Sequence, residues 1–197
     1  MNNKISKGEK VEYKSHSIQI NLEDYTSEKD YHFFYLQQQI PKQFIYREKL
    51  QVLGPFGIPQ DDPKEQYGLE NCPHITLIYP IKDEKDYFKL REKLKDFGSF
   101  EFTIGNIGSF RRPETKYDVL INEIESPKLQ ELHKYIKKNC KNNYKFPNYI
   151  PHMTLAYVQK RTCTELEGMS LWTGQKYTCK KIQFSHVDGY FLEIPLT

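Results

Sequence analysis

Pro73-His74-Ile75-Thr76-Leu77-Ile78-Tyr79 returns later in the chain as Pro151-His152-Met153-Thr154-Leu155-Ala156-Tyr157, with five of seven positions identical. An extended strand has period two, so His74 and Thr76 point one way and Ile75 and Leu77 the other. The same alternation puts His152 beside Thr154 and turns Met153 and Leu155 to the opposite face. Six His and ten Thr in 197 residues give roughly 0.3 His-x-Thr triplets by chance, so two in matched context are a motif rather than an accident. The spacing predicts two equivalent strands, each half-buried and each carrying an imidazole and a hydroxyl on its polar side.

Outward from these strands the chain mixes both kinds of regular structure. Ile18, Ile20 and Leu22 alternate over 16–22 as a half-buried strand. Residues 31–53 are rich in aromatics and compatible with a helix broken at Pro41, and 54–70, with three Pro and three Gly, read as a loop. Tyr87, Leu90, Leu94 and Phe97 mark one helix face, which Gly98 ends. A strand is expected over 100–110, a turn at Arg111, Arg112 and Pro113, and a strand over 117–124. Ser126 suits an N-cap and Pro127 a first helical position, ahead of core-facing Leu129, Leu132, Ile136 and Cys140. The second motif strand spans 149–158. Residues 177–185 and 190–196 form a closing hairpin turned at Asp188 and Gly189. Strands and helices do not alternate regularly, which gives an α+β fold, and the 78-residue offset between motifs suggests two related lobes. Residues 1–10 read as a tail and 11–197 as one two-lobed domain.

Composition limits the function classes. The chain has 38% hydrophobic residues, 14% aromatics and a net charge of +3, with no apolar run near the roughly 20 residues of a membrane span and no signal-peptide core. A soluble, cytosolic protein is the expectation. Residues 128–183 carry 11 Lys and Arg against Glu131, Glu165 and Glu167, a balance of +8, whereas residues 1–127 come to 18 minus 21, or −3. The basic half favours a small anionic ligand over a long duplex. Four scattered cysteines, none in a CxxC pair, point to free thiols and to neither a zinc site nor a disulfide framework. No cofactor, metal or protein partner is implied.

Two His-x-Thr strands suit cleavage of a phosphodiester. One imidazole removes a proton from the attacking oxygen, the other delivers one to the leaving oxygen, and each Thr hydroxyl bonds a non-bridging phosphate oxygen. His74 and His152 are therefore the candidate acid and base, and Thr76 and Thr154 the candidate phosphate ligands. Four further residues are candidate substrate contacts. Trp172 could stack on a base. Arg111, beside Arg112 at its turn, and Lys160, after the second motif strand, could hold phosphate. Tyr149 could edge the cleft.

With both H-x-T-L strings present, the chain resembles the two-histidine (2H, LigT-like) phosphoesterase superfamily over residues from about 65 to the end. The resemblance implies a pseudo-symmetric, two-lobed α+β protein with a central cleft. It also implies metal-free action on 2′,3′-cyclic phosphates, 2′-5′ linkages or related nucleotide diesters. Within that superfamily, YGLENCPHITLIYPI, PHMTLAYV and TGQKYTCKKIQFSHVDG resemble the phage anti-CBASS phosphodiesterases. That likeness implies a cyclic di- or trinucleotide immune messenger as substrate, cut at 3′-5′ linkages through attack by the ribose 2′-OH. An enzyme acting on short RNA and a non-catalytic nucleotide-binding module are the alternatives.

Overall fold

The computed structural model describes residues 15–22, 27–50, 64–70, 72–186 and 190–196. The expected tail, the turn at Asp188 and Gly189, and residues 54–63 of the expected loop lie outside them. Ten strands and three α-helices are described: β1 (His16–Asn21), α1 (Ser27–Gln38), β2 (Arg47–Leu50), β3 (Lys64–Tyr67), β4 (His74–Ile81), α2 (Asp86–Leu94), β5 (Phe100–Phe110), β6 (Tyr117–Glu125), α3 (Pro127–Asn139), β7 (His152–Gln159), β8 (Lys176–Cys179), β9 (Lys181–Ser185) and β10 (Phe191–Pro195). Eight of the strands form one antiparallel sheet in the order β10-β9-β1-β4-β7-β6-β5-β8, and β2 and β3 pair as a separate hairpin.

The two motif strands, β4 and β7, are the centre of that order. Read outward, β1, β9 and β10 on one side correspond to β6, β5 and β8 on the other. The registered pair between β4 and β7 is Ile75 with Met153, the residue after each motif histidine. An antiparallel pair that opposes equivalent residues has a local two-fold axis through it, so the repeat in the sequence is an axis in space.

The symmetry extends to an irregularity. On β4, Thr76 pairs Gln19 but Ile78 pairs Ile18, so Leu77 is an extra residue. On β7, Thr154 pairs Ile121 but Ala156 pairs Leu120, so Leu155 is extra. A bulge at the same motif position reverses the alternation beyond it. Leu77 with Ile78, and Leu155 with Ala156, therefore all face the core, which strict alternation does not allow. Tyr79 and Tyr157 then return to the His-Thr face, partly open to solvent.

One hydrophobic cluster unites both halves of the sheet with the helices, drawing Leu90 and Leu94 from α2, Leu129, Leu132 and Ile136 from α3, and Phe33 and Leu36 from α1. The helices cross over. α1 packs against β7, whereas α3 packs against β4 and β5, and α2 against β10. All three cover the core face, and the face bearing the histidines is the opposite one.

Four expectations change. The expected loop over 54–70 holds a strand in its described part, because β3 pairs along β2. Residues 177–185 are two strands rather than one: β8 pairs β5, β9 pairs β1 and β10, and only Lys180 separates them. In a flat sheet they would lie six positions apart, about 29 Å at 4.8 Å per strand. Two Cα steps reach about 7.6 Å at most, so the sheet must curl until its edges approach. The Leu196 amide closes the seam onto the Lys180 carbonyl at 2.8 Å. Of the expected broken helix over 31–53, residues 31–50 are described, and they hold the end of α1, a 3-10 turn at Lys42–Phe44 and β2. Ser126 sits at the N-cap of α3 with extended backbone, yet its hydroxyl donates to the Glu101 carbonyl at 2.9 Å instead of capping the helix.

Candidate active site

Each motif histidine opens its strand, and each is anchored in the same way. His74 Nδ1 lies 2.9 Å from the Cys72 carbonyl, and His152 Nδ1 lies 2.7 Å from the Ile150 carbonyl, two residues upstream in both cases. A carbonyl oxygen only accepts, so Nδ1 carries the proton, and in the neutral ring Nε2 is left with the lone pair. The intervening prolines do not end pairing with the flanking strands. Pro73 O accepts from the Leu22 amide at 2.9 Å and Pro151 O from the Ile124 amide at 3.1 Å. The chain is thus held on both sides of each imidazole.

Extending the Ile75–Met153 register by one residue each way sets His74 across from Thr154 and Thr76 across from His152. The two histidines are then diagonal neighbours on one face, their backbone positions about 7–8 Å apart. Neither Thr hydroxyl and neither Nε2 has a hydrogen-bond partner among the described residues, so all four polar ends are available to a ligand. Burial lowers the His152 pKa from the usual imidazole value; the Ile150 carbonyl opposes this, and the nearby charges of His74 and Arg112 reinforce it. His152 is therefore biased towards the neutral form.

The walls of the site differ. Beside His152, the Phe110 ring meets the imidazole edge-on with centroids 4.7 Å apart. Arg112 lies two residues beyond Phe110, its guanidinium 4.3 Å from the centre of the Phe146 ring. Tyr157 packs against Tyr67 and Tyr117, with centroids 5.0 and 5.2 Å away. Beside His74 and Thr76, the neighbours across the ladder are Asn21 and Gln19. Gln19 donates to the Asn21 side-chain oxygen at 2.5 Å and accepts from the Ser17 hydroxyl at 3.1 Å.

The four outlying candidates are elsewhere engaged. Trp172 is 1% exposed, and its Nε1 donates to the Tyr177 hydroxyl at 2.7 Å, so it is a core residue and offers no face to a base. Arg111 is ion-paired to buried Asp118 at 2.9 Å and to Glu167, which commits its charge to structure. Lys160 donates to the Arg112 and Pro113 carbonyls and pins the turn after β5. Tyr149 lies flat on His133 with centroids 4.1 Å apart, and its hydroxyl donates to the Thr76 carbonyl at 3.1 Å. It braces the first motif from the second, and burial raises its pKa far above the usual phenol value. Sequence reasoning missed Phe110, Gln19 and Asn21. The signal for the last two was present, because Ser17, Gln19 and Asn21 alternate with the core positions Ile18, Ile20 and Leu22.

Among the described residues, no cluster of three or more His, Cys, Asp or Glu is placed to hold a metal ion, the four cysteines form no disulfide, and no helix is long and apolar enough to cross a membrane. A hollow between α1 and β2, lined by Gln37, Ile45, Tyr46 and Gln159, contains neither motif histidine nor motif threonine.

A curled antiparallel α+β sheet with paired His-x-Thr strands at its two-fold axis defines the class of two-histidine phosphoesterases, enzymes that cleave phosphodiesters. Solved structures share the fold. Usb1 of Kluyveromyces marxianus with uridine monophosphate is 11% identical, with a TM-score of 0.59 over 92% of this chain and 98% of that one. TT0787 of Thermus thermophilus is 14% identical, with a TM-score of 0.56 over 92% and 97%. E. coli LigT with 3′-AMP is 14% identical, with a TM-score of 0.54 over 93% and 95%. No curated protein sequence matches the chain. Residues 49–190 match the 2′-5′ RNA ligase superfamily, and the chain belongs to it.

Proposed function

We propose that this protein hydrolyses a ribonucleotide 3′-5′ phosphodiester without a metal ion, and that its substrate is a small cyclic di- or trinucleotide. The observation that supports this chemistry is the matched anchoring of both imidazoles through Nδ1, on paired strands, which leaves each neutral ring a lone pair at Nε2. His152, held neutral by burial, begins as base. Its Nε2 takes the 2′-OH proton as the 2′-oxygen attacks phosphorus. The bond from phosphorus to the 5′-oxygen breaks, and protonated His74 supplies that oxygen with its proton. The products are a 2′,3′-cyclic phosphate and a 5′-hydroxyl. Water then opens the cyclic ester with the roles exchanged: His74 takes the water proton and His152 returns its proton to the 2′-oxygen. Thr76 and Thr154 hold the non-bridging oxygens throughout.

A diester on the two-fold axis places one nucleoside against each lobe, and both lobes have lined walls to receive one. This favours an internal linkage over a terminal phosphate, and the modest positive charge suits a short ligand. The sequence likeness to anti-CBASS phosphodiesterases adds the cyclic ring. RNA ending in a 2′,3′-cyclic phosphate is a second reading, supported by the mononucleotides with which Usb1 and LigT were solved.

The test is incubation in EDTA with cyclic di- and trinucleotides, 2′-5′ oligoadenylate and 2′,3′-cyclic-ended RNA, with products read by mass. Cleavage of the cyclic oligonucleotides to 3′-phosphates is expected. Activity lost on chelation and restored by a divalent ion overturns the metal-free chemistry, and normal cleavage of a 2′-deoxy analogue overturns ribose attack.

A further inference from the structure

Directly across the ladder from each motif histidine stands a polar residue of the flanking strand: Asn21 on β1 opposes His74, and Glu123 on β6 opposes His152. Cross-strand partners share a face, so both side chains rise on the histidine side of the sheet. Their surroundings differ. Asn21 is 8% exposed and accepts from the Gln19 side chain, and the next strand out, β9, sets the buried amide of Gln183 opposite Gln19. Glu123 is exposed, and among the described residues neither a hydrogen bond nor an ion pair engages its carboxylate.

The next strand out on the Glu123 side is bare where the carboxylate lies. A Cβ added at Gly108 of β5 would meet the Glu123 Oε1 at 3.1 Å, so the carboxylate extends over a position that carries no side chain. Gly108 pairs Ile121, and Ile121 pairs Thr154. The carboxylate therefore stands about two strands out from the second threonine, roughly 10 Å at 4.8 Å per strand. Gly108 and Phe110 are both half-buried, and the Phe110 ring reaches back to the His152 imidazole. A strip of accessible surface thus runs from His152 along Phe110 and Gly108 to the carboxylate. A ribose and base extending from a phosphate at Thr154 cover that span.

We infer that Glu123 reads the base of the nucleoside bound on the β6-β5 side of the phosphate, and that it selects guanine. An ionised carboxylate accepts and cannot donate, and its two oxygens take two N–H donors that lie side by side. On the Watson–Crick edge of an unpaired base, guanine alone offers such a pair, its ring N1–H and its exocyclic amine. Adenine and cytosine set a ring acceptor beside the amine, which opposes the second oxygen. Uracil has a single N–H between two carbonyls. The inference names one base of the substrate; it rests on the nucleotide-binding reading above but not on turnover.

Calorimetric titration with the 3′-monophosphates of guanosine, inosine, adenosine and uridine tests it. The wild-type chain is expected to bind the guanosine nucleotide at least about tenfold tighter than the adenosine and uridine nucleotides. Inosine, which keeps N1–H and lacks the amine, is expected to fall between. Glu123 is exposed, so Glu123→Gln keeps both fold and shape. That variant is expected to bind the guanosine nucleotide about tenfold more weakly. The adenosine and uridine nucleotides are expected to bind it unchanged or slightly tighter, because a negative charge near their phosphate is gone. A carboxylate that only solvates the surface gives the opposite sign for guanosine, which would then tighten with the rest. That result overturns the inference, as does a wild-type chain with no guanosine preference. Guanosine preference abolished by Glu123→Gln in a chain that cleaves no diester of the panel would refute the proposed reaction and leave this subsite standing. An active enzyme whose preference is unchanged in the variant would do the reverse.

Discussion

The lobe around β4 and the lobe around β7 share a motif, a bulge, a tethered imidazole and a strand order, yet they surround their histidines differently. His74 has amide neighbours and Tyr149 beneath its threonine. His152 is pressed by Phe110 and lies within reach of the Arg112 charge. Backbone geometry repeats because a two-fold site needs two equivalent tethers. Side chains diverge, as they would if the two histidines serve as acid and base in the proposed reaction.

The largest test of this comparison is loss of either imidazole. His74→Ala and His152→Ala are each expected to lower kcat by about a thousandfold while substrate affinity changes by only a few-fold. The double variant is expected to be little worse than either single one, since the pair acts as a unit. Loss in only one variant would break the symmetry of roles. Thr76→Ala and Thr154→Ala come next, each about a hundredfold in kcat if both hydroxyls hold the phosphate in the transition state. Steady-state rates on a single substrate compare them.

Two adjacent arginines sharpen the contrast between structure and site. Arg111→Ala strips a partner from buried Asp118 and is expected to cost about 3 kcal/mol in denaturant unfolding. Arg112→Ala is expected to leave unfolding unchanged and to raise KM severalfold. Tyr149→Phe removes one hydrogen bond to the Thr76 carbonyl and should cost about 1 kcal/mol of stability with little loss of rate.

The smallest effect is a displacement of the pH profile. A general base works only when deprotonated, and the pKa of His152 lies below the usual 6.5. Activity should therefore persist as pH falls past 6.5, with the acid limb of kcat/KM below that value. Arg112→Ala removes one of the charges that lower it, so the limb should move back up.

Much of the fold was open to pattern reading. The Ile18-Ile20-Leu22 alternation, the Tyr87-Leu90-Leu94 stripe and the Leu129-Leu132-Ile136 stripe each name an element and its buried face, because burial of apolar side chains follows backbone period. Residues 100–110 were legible as a strand despite two glycines. At Gly105 any Cβ would sit 3.0 Å from the Glu123 carbonyl oxygen, which is why the position carries no side chain. The bulges at Leu77 and Leu155 were not legible, since an apolar pair after Thr fits alternation almost as well. The break at Lys180 shows in the sequence only as a shift of phase, from Tyr177 and Cys179 to Ile182 and Phe184, and that shift does not say that the partners change lobe.

By itself the sequence determined the paired motif: two imidazoles, each beside a hydroxyl, in strands alike enough to be related by an axis. Only the tertiary structure decided which other residues join them. It sent Trp172 to the core, tied Arg111 to Asp118, laid Tyr149 on His133 and brought Gln19 and Gln183 into line with Thr76. The reason is physical. A strand's own period fixes which side a residue faces, but which residue stands opposite is set by long-range register and the curl of the sheet.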